Sequence, residues 1–538
     1  MIRVRSQTER GAGLIPTTIS PTLDEVRELL SGGAQAVAHD DDSADAAGAY
    51  RRVPIMCELY ADGFTTIEVM RALRQASNHV FLLESAEPDQ RWGRYSFLGF
   101  DPSMEITCLD GELTVRTGVG TGERHVTKQH VEHPGAYLRE VIARHRSPRL
   151  KGFPPFCGGL VGYFAYDYLK YSEPTLRRPG LGHEDFLDMD LMLFDKVVAF
   201  DSYRQRVVLI AGVHAPAADA RLDPDPVATS YAKAVATLQD MERLIRLGTR
   251  RQFEPLRLGH APMPRFSRVR FCDMVRTAQH HIHEGDIFQV VLSNPLTAPA
   301  SGSLFDVYRV LRSANPSPYM FYFTSDDVEI AGASPETLAK LTDGRLYTYP
   351  LAGTRPRGST QAQDEALEAE LKTDQKELAE HNMLVDLGRN DLGRIAQVGT
   401  VEVERYLEVL RYSHVMHLGS TVTALIDERF DAVDAVDAIL PAGTLSGAPK
   451  LRACQIIQDL EGAKRGIYGG AIGYLDFSGN LDTCIGIRLA YKKNGEVCVQ
   501  SGAGIVMDSV PEREFEECQN KARAVVAALL EAQGGLDR

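Results

Sequence analysis

The stretch that decides the fold is KELAEHNMLVDLGRND, residues 376–391. Its first part, residues 376–387, ends a run, residues 359–387, that contains neither Gly nor Pro, the two residues that disfavour a helix most. We therefore predict one long helix across this run. Glu377 and Glu380 are three residues apart, so the helix would present both carboxylates on one face.

A second pair of carboxylates with the same spacing lies near the end of the chain. Residues 509–521 read SVPEREFEECQNK, and Pro511 suits the first turn of a helix. On that helix Glu514, Glu517 and Lys521 would fall within about 60° of one another. Two facing pairs of carboxylates would offer the hard oxygen ligands that Mg²⁺ prefers. From spacing alone, a pair of solvated acidic helices remains the alternative.

Outside these helices the chain changes character along its length. Residues 1–52 are predicted to be a poorly ordered tail, because Gly, Ala, Ser and Asp dominate its second half. Residues 53–211 contain strand-like segments punctuated by Gly, and residues 212–265 read as a linker with an amphipathic helix. Residues 266–538 read as longer helices between short strands. This pattern predicts an α+β protein with a smaller N-terminal part and a larger C-terminal part. In the larger part, strands are predicted over residues 466–477, 484–491 and 497–501.

The composition excludes several classes of function. Asp plus Glu number 73 against 59 Lys plus Arg, a formal net charge of −14, which argues against binding to nucleic acids or anionic membranes. No apolar run reaches the roughly 18–20 residues of a membrane span, and the N-terminus lacks the apolar core of a secretory signal. The eight cysteines form no CxxC pair, so a disulfide framework or zinc knuckle is not expected. We expect a cytoplasmic enzyme.

Two Gly-containing turns are candidates for backbone contacts to an anion. They are residues 441–447, PAGTLSG, and residues 502–504, GAG. Neither matches a phosphate-binding loop or a dinucleotide fingerprint, so nucleotide binding is disfavoured. Successive exposed N–H groups in such turns suit a carboxylate as well as a phosphate. From composition alone, tight turns between packed elements are the alternative interpretation.

Four segments together resemble the signature of the chorismate-utilising enzymes. They are EHNMLVDLGRND (residues 380–391), PAGTLSGAPK (441–450), GASPE (332–336) and QSGAG (500–504). The resemblance is strong over residues 266–530 and weaker over residues 53–211. It implies a chorismate-binding catalytic domain over residues 266–538 and a regulatory part over residues 53–211. We therefore expect an α+β fold with large mixed antiparallel sheets flanked by helices, in two intertwined parts.

Within this family the chain is most similar to the anthranilate synthase component I branch. Its members use Mg²⁺ to convert chorismate and ammonia into anthranilate and pyruvate through an aminodeoxyisochorismate intermediate. Ala352 stands where aminodeoxychorismate synthases typically have Lys, and Gln289 where isochorismate and salicylate synthases typically have a water-activating Lys. Ala and Gln cannot serve as nucleophile or base, whereas ammonia needs no such base. The alternatives are an aminodeoxychorismate synthase component I and a non-catalytic tryptophan-binding regulator.

The resemblance implies roles for individual residues. Glu380 and Glu517 would hold Mg²⁺, with Glu377 and Glu514 supporting it through water. Arg488 would bind the enolpyruvyl carboxylate with its two-pronged donor fork. The implied catalytic residues are His417, Thr444 and Glu336; the implied substrate-binding residues are Gly353, Thr354, Tyr468, Arg488, Gly502, Ala503, Gly504 and Lys521. For His417, a packed core histidine is the alternative interpretation.

The resemblance also implies partners. Nothing in the chain resembles the Cys-His-Glu apparatus of a glutamine amidotransferase, so ammonia is expected from a separate amidotransferase subunit in a hetero-oligomer. Feedback inhibition by tryptophan is expected, because residues 82–85 (LLES) and 315–320 (NPSPYM) resemble the segments that form the family's tryptophan pocket. The residues assigned to that pocket are Glu84, Ser85, Pro318, Tyr319, Met320, Tyr474 and Cys484.

Overall fold

The computed structural model describes residues 18–32, 50–85, 93–119, 124–177, 185–216, 223–411 and 415–536. The α-helices of these ranges are α1 Leu23–Leu30, α2 Thr66–Ala76, α3 Gly135–Arg144, α4 Pro226–Leu247, α5 Arg268–His283, α6 Phe305–Ala314, α7 Gln361–Thr373, α8 Gln375–Gly393, α9 Ala432–Ile439, α10 Lys450–Glu461 and α11 Pro511–Ala532. None of these helices is long and apolar enough to cross a membrane.

The strands, numbered along the chain, form two large sheets. The 13 strands of the first sheet are β1 Arg52–Tyr60, β2 Val80–Glu84, β3 Tyr95–Phe100, β9 Lys196–Asp201, β10 Arg206–His214, β11 Arg257–Leu258, β12 Met263–Pro264, β13 Gln289–Ser301, β14 Tyr319–Thr324, β15 Glu329–Ser334, β21 Gly447–Ala448, β24 Leu489–Lys493 and β25 Glu496–Ile505. The 12 strands of the second sheet are β4 Met104–Leu109, β5 Glu112–Thr117, β6 His125–His130, β7 Gly159–Phe164, β8 Met189–Phe194, β16 Thr337–Thr342, β17 Arg345–Thr348, β18 Leu351–Pro356, β19 Glu402–Arg411, β20 Val415–Leu425, β22 Ala471–Asp476 and β23 Leu481–Ile485.

Both sheets contain strands from both parts of the chain. The first sheet runs β1-β10-β9-β3-β2-β14-β15-β24-β25-β13-β11, and the second runs β18-β20-β17-β16-β23-β22-β7-β8-β4-β5-β6. The two parts meet where β2 pairs with β14 and where β7 pairs with β22, both antiparallel. The predicted α+β fold with large antiparallel sheets and intertwined parts is confirmed.

The two sheets pack face to face around an aromatic core, as alternating side chains of antiparallel strands allow. Phe81 of the first sheet meets Phe194 of the second edge to face, with ring centroids 4.7 Å apart. The outer face of the first sheet is covered by α2, α4, α6 and α11, and that of the second by α3, α8 and α9. The molecule is therefore a four-layer sandwich, with helices outside and sheets inside.

The prediction of a poorly ordered tail over residues 1–52 is wrong for the part that the structure describes. Thr22 and Glu25 form a reciprocal capping box at the start of α1, and Val26 is fully buried in the core. Arg52 is also buried, at the start of β1. The prediction was based on the Gly-, Ala- and Asp-rich composition of residues 31–49 and overlooked the amphipathic helix α1 that precedes them. Residues 1–17 and 33–49 lie outside the described residues.

Three further predictions need correction: the long helix, the linker and one strand. The run over residues 359–387 forms two helices, because Asp374 ends α7 and caps α8 by accepting from the N–H groups of Lys376 and Glu377. The predicted linker, residues 212–265, begins inside β10 and contains α4, β11 and β12. Its helix carries an apolar stripe that packs on β10, so the segment belongs to the core rather than joining two units. Likewise, residues 484–491 span the end of β23 and the start of β24.

Candidate active site

The candidate active site is built where the chain crosses from one sheet to the other. Residues 334–336 connect β15 of the first sheet to β16 of the second, and residues 486–488 connect β23 back to β24. The two crossings lie side by side, as a hydrogen bond from the Ile485 N–H to the Glu336 carbonyl at 3.0 Å shows. Arg488 has φ +50°, a left-handed conformation that non-glycine residues rarely adopt. Strain of this kind clusters at functional sites.

Glu336 is the acidic group of these crossings. Thr444 Oγ1 donates to Glu336 Oε1 at 3.2 Å. Burial raises the pKa of Glu336 to about 7, although Thr444, Arg488 and Lys521 each act to lower it. Burial also lowers the pKa of Arg488, which the Glu336 charge counteracts. A carboxyl group that titrates near neutrality can donate a proton at physiological pH.

The loop that carries Thr444 is held from several sides. A Cβ on Gly443 would lie 2.8 Å from Leu387 of α8, so the loop packs directly against the helix of the first glutamate pair. Lys450 Nζ donates to both carboxylate oxygens of Asp391 at 2.8 Å, which ties the end of α8 to the same loop. Arg465 Nη1 donates to the Leu445 carbonyl at 2.7 Å. The Thr444 hydroxyl is therefore fixed relative to α8.

Sequence reasoning missed the buried pair of Arg465 and Glu461. Arg465 is 2% exposed, and it bonds Glu461 as well as the Val291 carbonyl. Its guanidinium lies 5.7 Å from the centre of the Tyr468 ring. The pair thus holds Tyr468, the Thr444 loop and β13 together. The available signal was the i, i+4 spacing of Glu461, the last residue of α10, and Arg465, which follows the helix.

His417 lies beside Gly353 and Thr354, as β18 pairs with β20. Its Nδ1 lies 3.1 Å from the Gly353 carbonyl and 3.0 Å from Thr354 Oγ1. Because a carbonyl only accepts, Nδ1 carries the proton in this arrangement. Burial lowers the pKa of His417, so the ring is neutral at physiological pH. A neutral imidazole can accept a proton.

Gly353 connects this pair of strands to the first glutamate pair. It has φ +73°, and a Cβ there would lie 3.3 Å from Glu377 Oε2 and 3.1 Å from Leu371. Glu377 also accepts from Arg355 Nη1 at 3.4 Å, and Arg355 bonds the cap residue Asp374. The start of α8 is therefore fixed against β18.

The two glutamate pairs are coupled electrostatically, because Glu517 of the second pair raises the pKa of Glu380 of the first. Burial, and then the charge of Glu377, raises the pKa of Glu380; Glu517 on α11 raises it further, while Lys521 lowers it. Burial also raises the pKa of Glu514, with Glu517 adding to the rise. Lys521 Nζ lies 2.7 Å from Glu517 Oε1. The structure therefore brings the predicted pairs of α8 and α11 together, with Lys521 between them.

The four carboxylates do not close on a common point. Among the described residues, three potential ligand atoms lie within 4.8 Å of one another at a different place, around His79. Mg²⁺ usually keeps several waters and binds protein through one or two carboxylates. An open arrangement of four glutamates is compatible with that mode of binding.

The site is completed by Tyr468, which lies between α10 and β22, and by residues 502–504 of β25. A Cβ on Gly502 would lie 2.7 Å from the Tyr468 hydroxyl, and one on Gly504 would lie 2.8 Å from Gln289 Nε2. Both glycines therefore let side chains approach the backbone of β25. Burial raises the pKa of Tyr468, so its hydroxyl stays protonated and can donate. Ala503 points into the core beneath α5 and α10.

The residues assigned to a tryptophan pocket belong to both sheets and do not all face the same side. Tyr319, Tyr474 and Cys484 face the core between the sheets, whereas Met320 pairs with Glu84 and faces the covering helices. The Glu84 carboxylate already accepts hydrogen bonds from Thr66, Tyr308 and Arg312. Tryptophan binding by these residues, with Ser85 and Pro318, stays a prediction.

Comparison with known proteins gives one consistent result. The model of the chorismate binding enzyme family matches residues 78–527. Component 1 of anthranilate synthase from Acetivibrio thermocellus is 41% identical over 95% of this chain and 99% of its own length. The Pseudomonas aeruginosa counterpart is 41% identical over 91% of this chain and 98% of its own.

Solved structures agree with the sequence comparison. Anthranilate synthase component I from Streptococcus pneumoniae superposes with a TM-score of 0.68 at 35% identity, over 81% of this chain and 92% of that one. The menaquinone-specific isochorismate synthase of Escherichia coli superposes with a TM-score of 0.64 at 19% identity, over 89% and 94% of the two chains. At that identity the second match reflects the fold alone.

Proposed function

This chain belongs to the chorismate binding enzyme family, and we propose that it is the chorismate-using component of an anthranilate synthase. The reaction consumes chorismate and ammonia and releases anthranilate, pyruvate and water. The resemblance to anthranilate synthase component I predicted from the motifs is confirmed by the relatives, which are 39–41% identical to this chain over at least 87% of its length.

The observation that carries the proposal is the convergence of Arg488, Lys521 and the protonatable Glu336 in one site. Chorismate carries two carboxylates, so a site for it needs two cationic or polar anion-binding groups. Arg488 would supply a fork for the enolpyruvyl carboxylate together with Tyr468, and Lys521, Thr444 and the backbone of residues 502–504 would bind the ring carboxylate. Both cations act on Glu336, whose pKa is about 7.

The side chains that distinguish the branches support amination. Gln289 is buried against Gly504, and Ala352 is buried on β18. Neither side chain can activate water or form a covalent bond to the ring. These positions disfavour the hydration chemistry of isochorismate synthases and the Lys-dependent route of aminodeoxychorismate synthases.

The donor set fits Mg²⁺. Glu380 and Glu517 would contact the ion, and Glu377 and Glu514 would hold its waters. Burial, and then mutual repulsion, raises the pKa of Glu380 and Glu514, and a divalent cation would relieve the repulsion. When bound, the ion fixes the ring carboxylate and stabilises negative charge in the transition state.

The chain's own residues supply the proton transfers. The protonated Glu336, held by Thr444, would donate to the C4 hydroxyl as it leaves, while ammonia adds to the ring. The neutral His417, oriented by the Gly353 carbonyl, would take up the ring proton as pyruvate is eliminated and the ring becomes aromatic. Gly353 and Thr354 would line the same pocket.

The source of ammonia and the regulation complete the proposal. A separate glutamine amidotransferase subunit would supply ammonia, and the name component 1 of the relatives supports a partner component. Tryptophan would bind between the sheets near Ser85 and Tyr319 and inhibit the reaction.

The experiment that tests the proposal is to incubate the purified chain with chorismate and Mg²⁺, and with an ammonium salt or glutamine as nitrogen source. We expect fluorescent anthranilate and equimolar pyruvate with ammonium at raised pH, where more ammonia is unprotonated, and neither product with glutamine. An aminated product without pyruvate would identify an aminodeoxychorismate synthase instead. Glutamine-dependent activity of the single chain would contradict the separate subunit.

A further inference from the structure

A second group of potential metal ligands lies between the two sheets, away from the glutamate pairs. One ligand atom each from His79, Glu105 and Asp326 lies within 4.8 Å of the others. His79 precedes β2 and Asp326 lies in the turn between β14 and β15, both in the first sheet, whereas Glu105 lies on β4 of the second. We call these three residues the inter-sheet cluster. It is the place where metal-ligating side chains of the two sheets come together.

The cluster is separate from the candidate active site. Asp326 precedes β15 and Glu336 follows it, so the six residues of β15, about 20 Å of extended strand, lie between the two places. None of the residues assigned to chorismate or Mg²⁺ belongs to the cluster. A ligand bound here would be a second ligand of the chain.

Each carboxylate of the cluster has one oxygen bound to an arginine and one oxygen left over. Arg116 donates to Glu105 Oε2 at 3.0 Å, and Arg124 donates to Asp326 Oδ2 at 2.6 Å. Asp326 Oδ1 lies 3.0 Å from His79 Nε2. Among the described residues, Nε2 has no aligned hydrogen bond, although His79 is only 4% exposed. A nitrogen and a carboxylate oxygen at this distance need a proton or a metal ion between them.

A further buried carboxyl group, Asp190, lies beside the cluster. It lies on β8 next to β4 and is fully buried; neither of its oxygens has a well-aligned hydrogen bond among the described residues, although the Ser325 side chain is close enough to lower its pKa. A buried carboxylate without a partner is costly in a folded protein. Burial raises the pKa of Asp190 well above its usual range, and the charge of Glu105 adds to the rise. A cation bound at the cluster would favour the ionised forms of both carboxyl groups.

We propose that His79, Glu105 and Asp326 bind one divalent transition-metal ion, of the Zn²⁺ or Mn²⁺ class, that cross-links the two sheets. A mixed set of one imidazole and two carboxylates suits these ions, whereas Mg²⁺ prefers oxygen ligands alone. The ligands come from both sheets, so the ion binds the folded chain and stabilises it. Its site joins the N-terminal strands to the β14–β15 hairpin of the C-terminal part.

The test is calorimetric titration of the chelator-treated full chain with ZnCl₂ and, separately, MnCl₂. It is made in the Glu380→Gln/Glu517→Gln background, which removes the other candidate site. We expect one equivalent of metal to bind and the midpoint of thermal unfolding to rise. His79→Gln or Asp326→Asn in that background is expected to weaken the affinity by at least about 10-fold. Asp326 is exposed, so its amide variant keeps the fold even if a change at buried Glu105 does not.

Glu112→Gln is the matched control, because Glu112 pairs with exposed Lys128 on the same sheet and faces solvent. It should bind metal as the background variant does. Absence of binding in the background variant overturns the proposal. So does binding that survives unchanged in both His79→Gln and Asp326→Asn. These outcomes are independent of anthranilate formation, so failure of the proposed function leaves this test intact.

Discussion

At the scale of the residue, the proposed acid is a carboxyl group that stays partly protonated near neutral pH. Glu336 has its pKa raised to about 7 by burial, even though Thr444, Arg488 and Lys521 lower it. Sequence identified Glu336 through the segment GASPE but could not predict its protonation. The shift arises from a chain crossing between two sheets, which no local pattern encodes.

The pH dependence of turnover tests this role of Glu336. The acid form is present below pH 7 and is lost above it. The rate divided by the concentration of unprotonated ammonia should therefore fall about 10-fold per pH unit above pH 7. Glu336→Gln should remove this dependence and lower the rate below pH 7 by about 100-fold or more. The control is Glu402→Gln, an exposed residue of β19. Persistence of the fall in Glu336→Gln would assign it to another group.

At the scale of the element, sequence predicted the helix of the second glutamate pair well and the helix of the first less well. Pro511 begins α11 as expected, since Pro suits a first helical turn. The break at Asp374 was not predicted, because a run without Gly or Pro shows no interruption and the cap depends on where α7 ends. Glu377 and Glu380 still share one helix face despite this break, because both lie on α8.

The contact between β18 and α8 can be tested with two glycines. Gly353→Ala and Gly344→Ala both place a side chain at positive φ, +73° and +76°, which should cost each variant about 1–2 kcal/mol of unfolding free energy. Only the Cβ at Gly353 meets Glu377 and Leu371; at Gly344 no atom lies within 4 Å. We therefore expect kcat to fall about 10-fold in Gly353→Ala alone. Urea unfolding and turnover of both variants measure this, and equal activities would show that Gly353 does not position Glu377.

At the scale of the whole molecule, the intertwining of the two parts could not be derived from periodicity. Pairing of β2 with β14 joins residues more than 200 positions apart, and hydrophobic alternation specifies a strand but not its neighbour. The family resemblance alone led to that expectation.

Tryptophan inhibition is the prediction that belongs to this scale, since the proposed pocket lies where the two parts meet. Micromolar to millimolar tryptophan should inhibit the wild type, and Ser85→Phe should need at least about 10-fold more, because the ring would fill the pocket. Ser313→Phe, at an exposed position of α6, controls for added bulk. Insensitivity of the wild type, or equal inhibition of Ser85→Phe, would place the site elsewhere.

The central claim is that the glutamate pairs of α8 and α11 form one magnesium-dependent site for chorismate. The most direct measurement is the rate of anthranilate formation against Mg²⁺ concentration in the wild type, Glu380→Gln and Glu516→Gln. Glu516 lies next to Glu517 but pairs with exposed Arg268, so its amide variant is a matched control. The account predicts that Glu516→Gln follows the wild type, while Glu380→Gln stays folded and loses at least about 100-fold in rate at every Mg²⁺ concentration, a loss of about 2.7 kcal/mol. Normal activity of Glu380→Gln at ordinary Mg²⁺ would contradict the account.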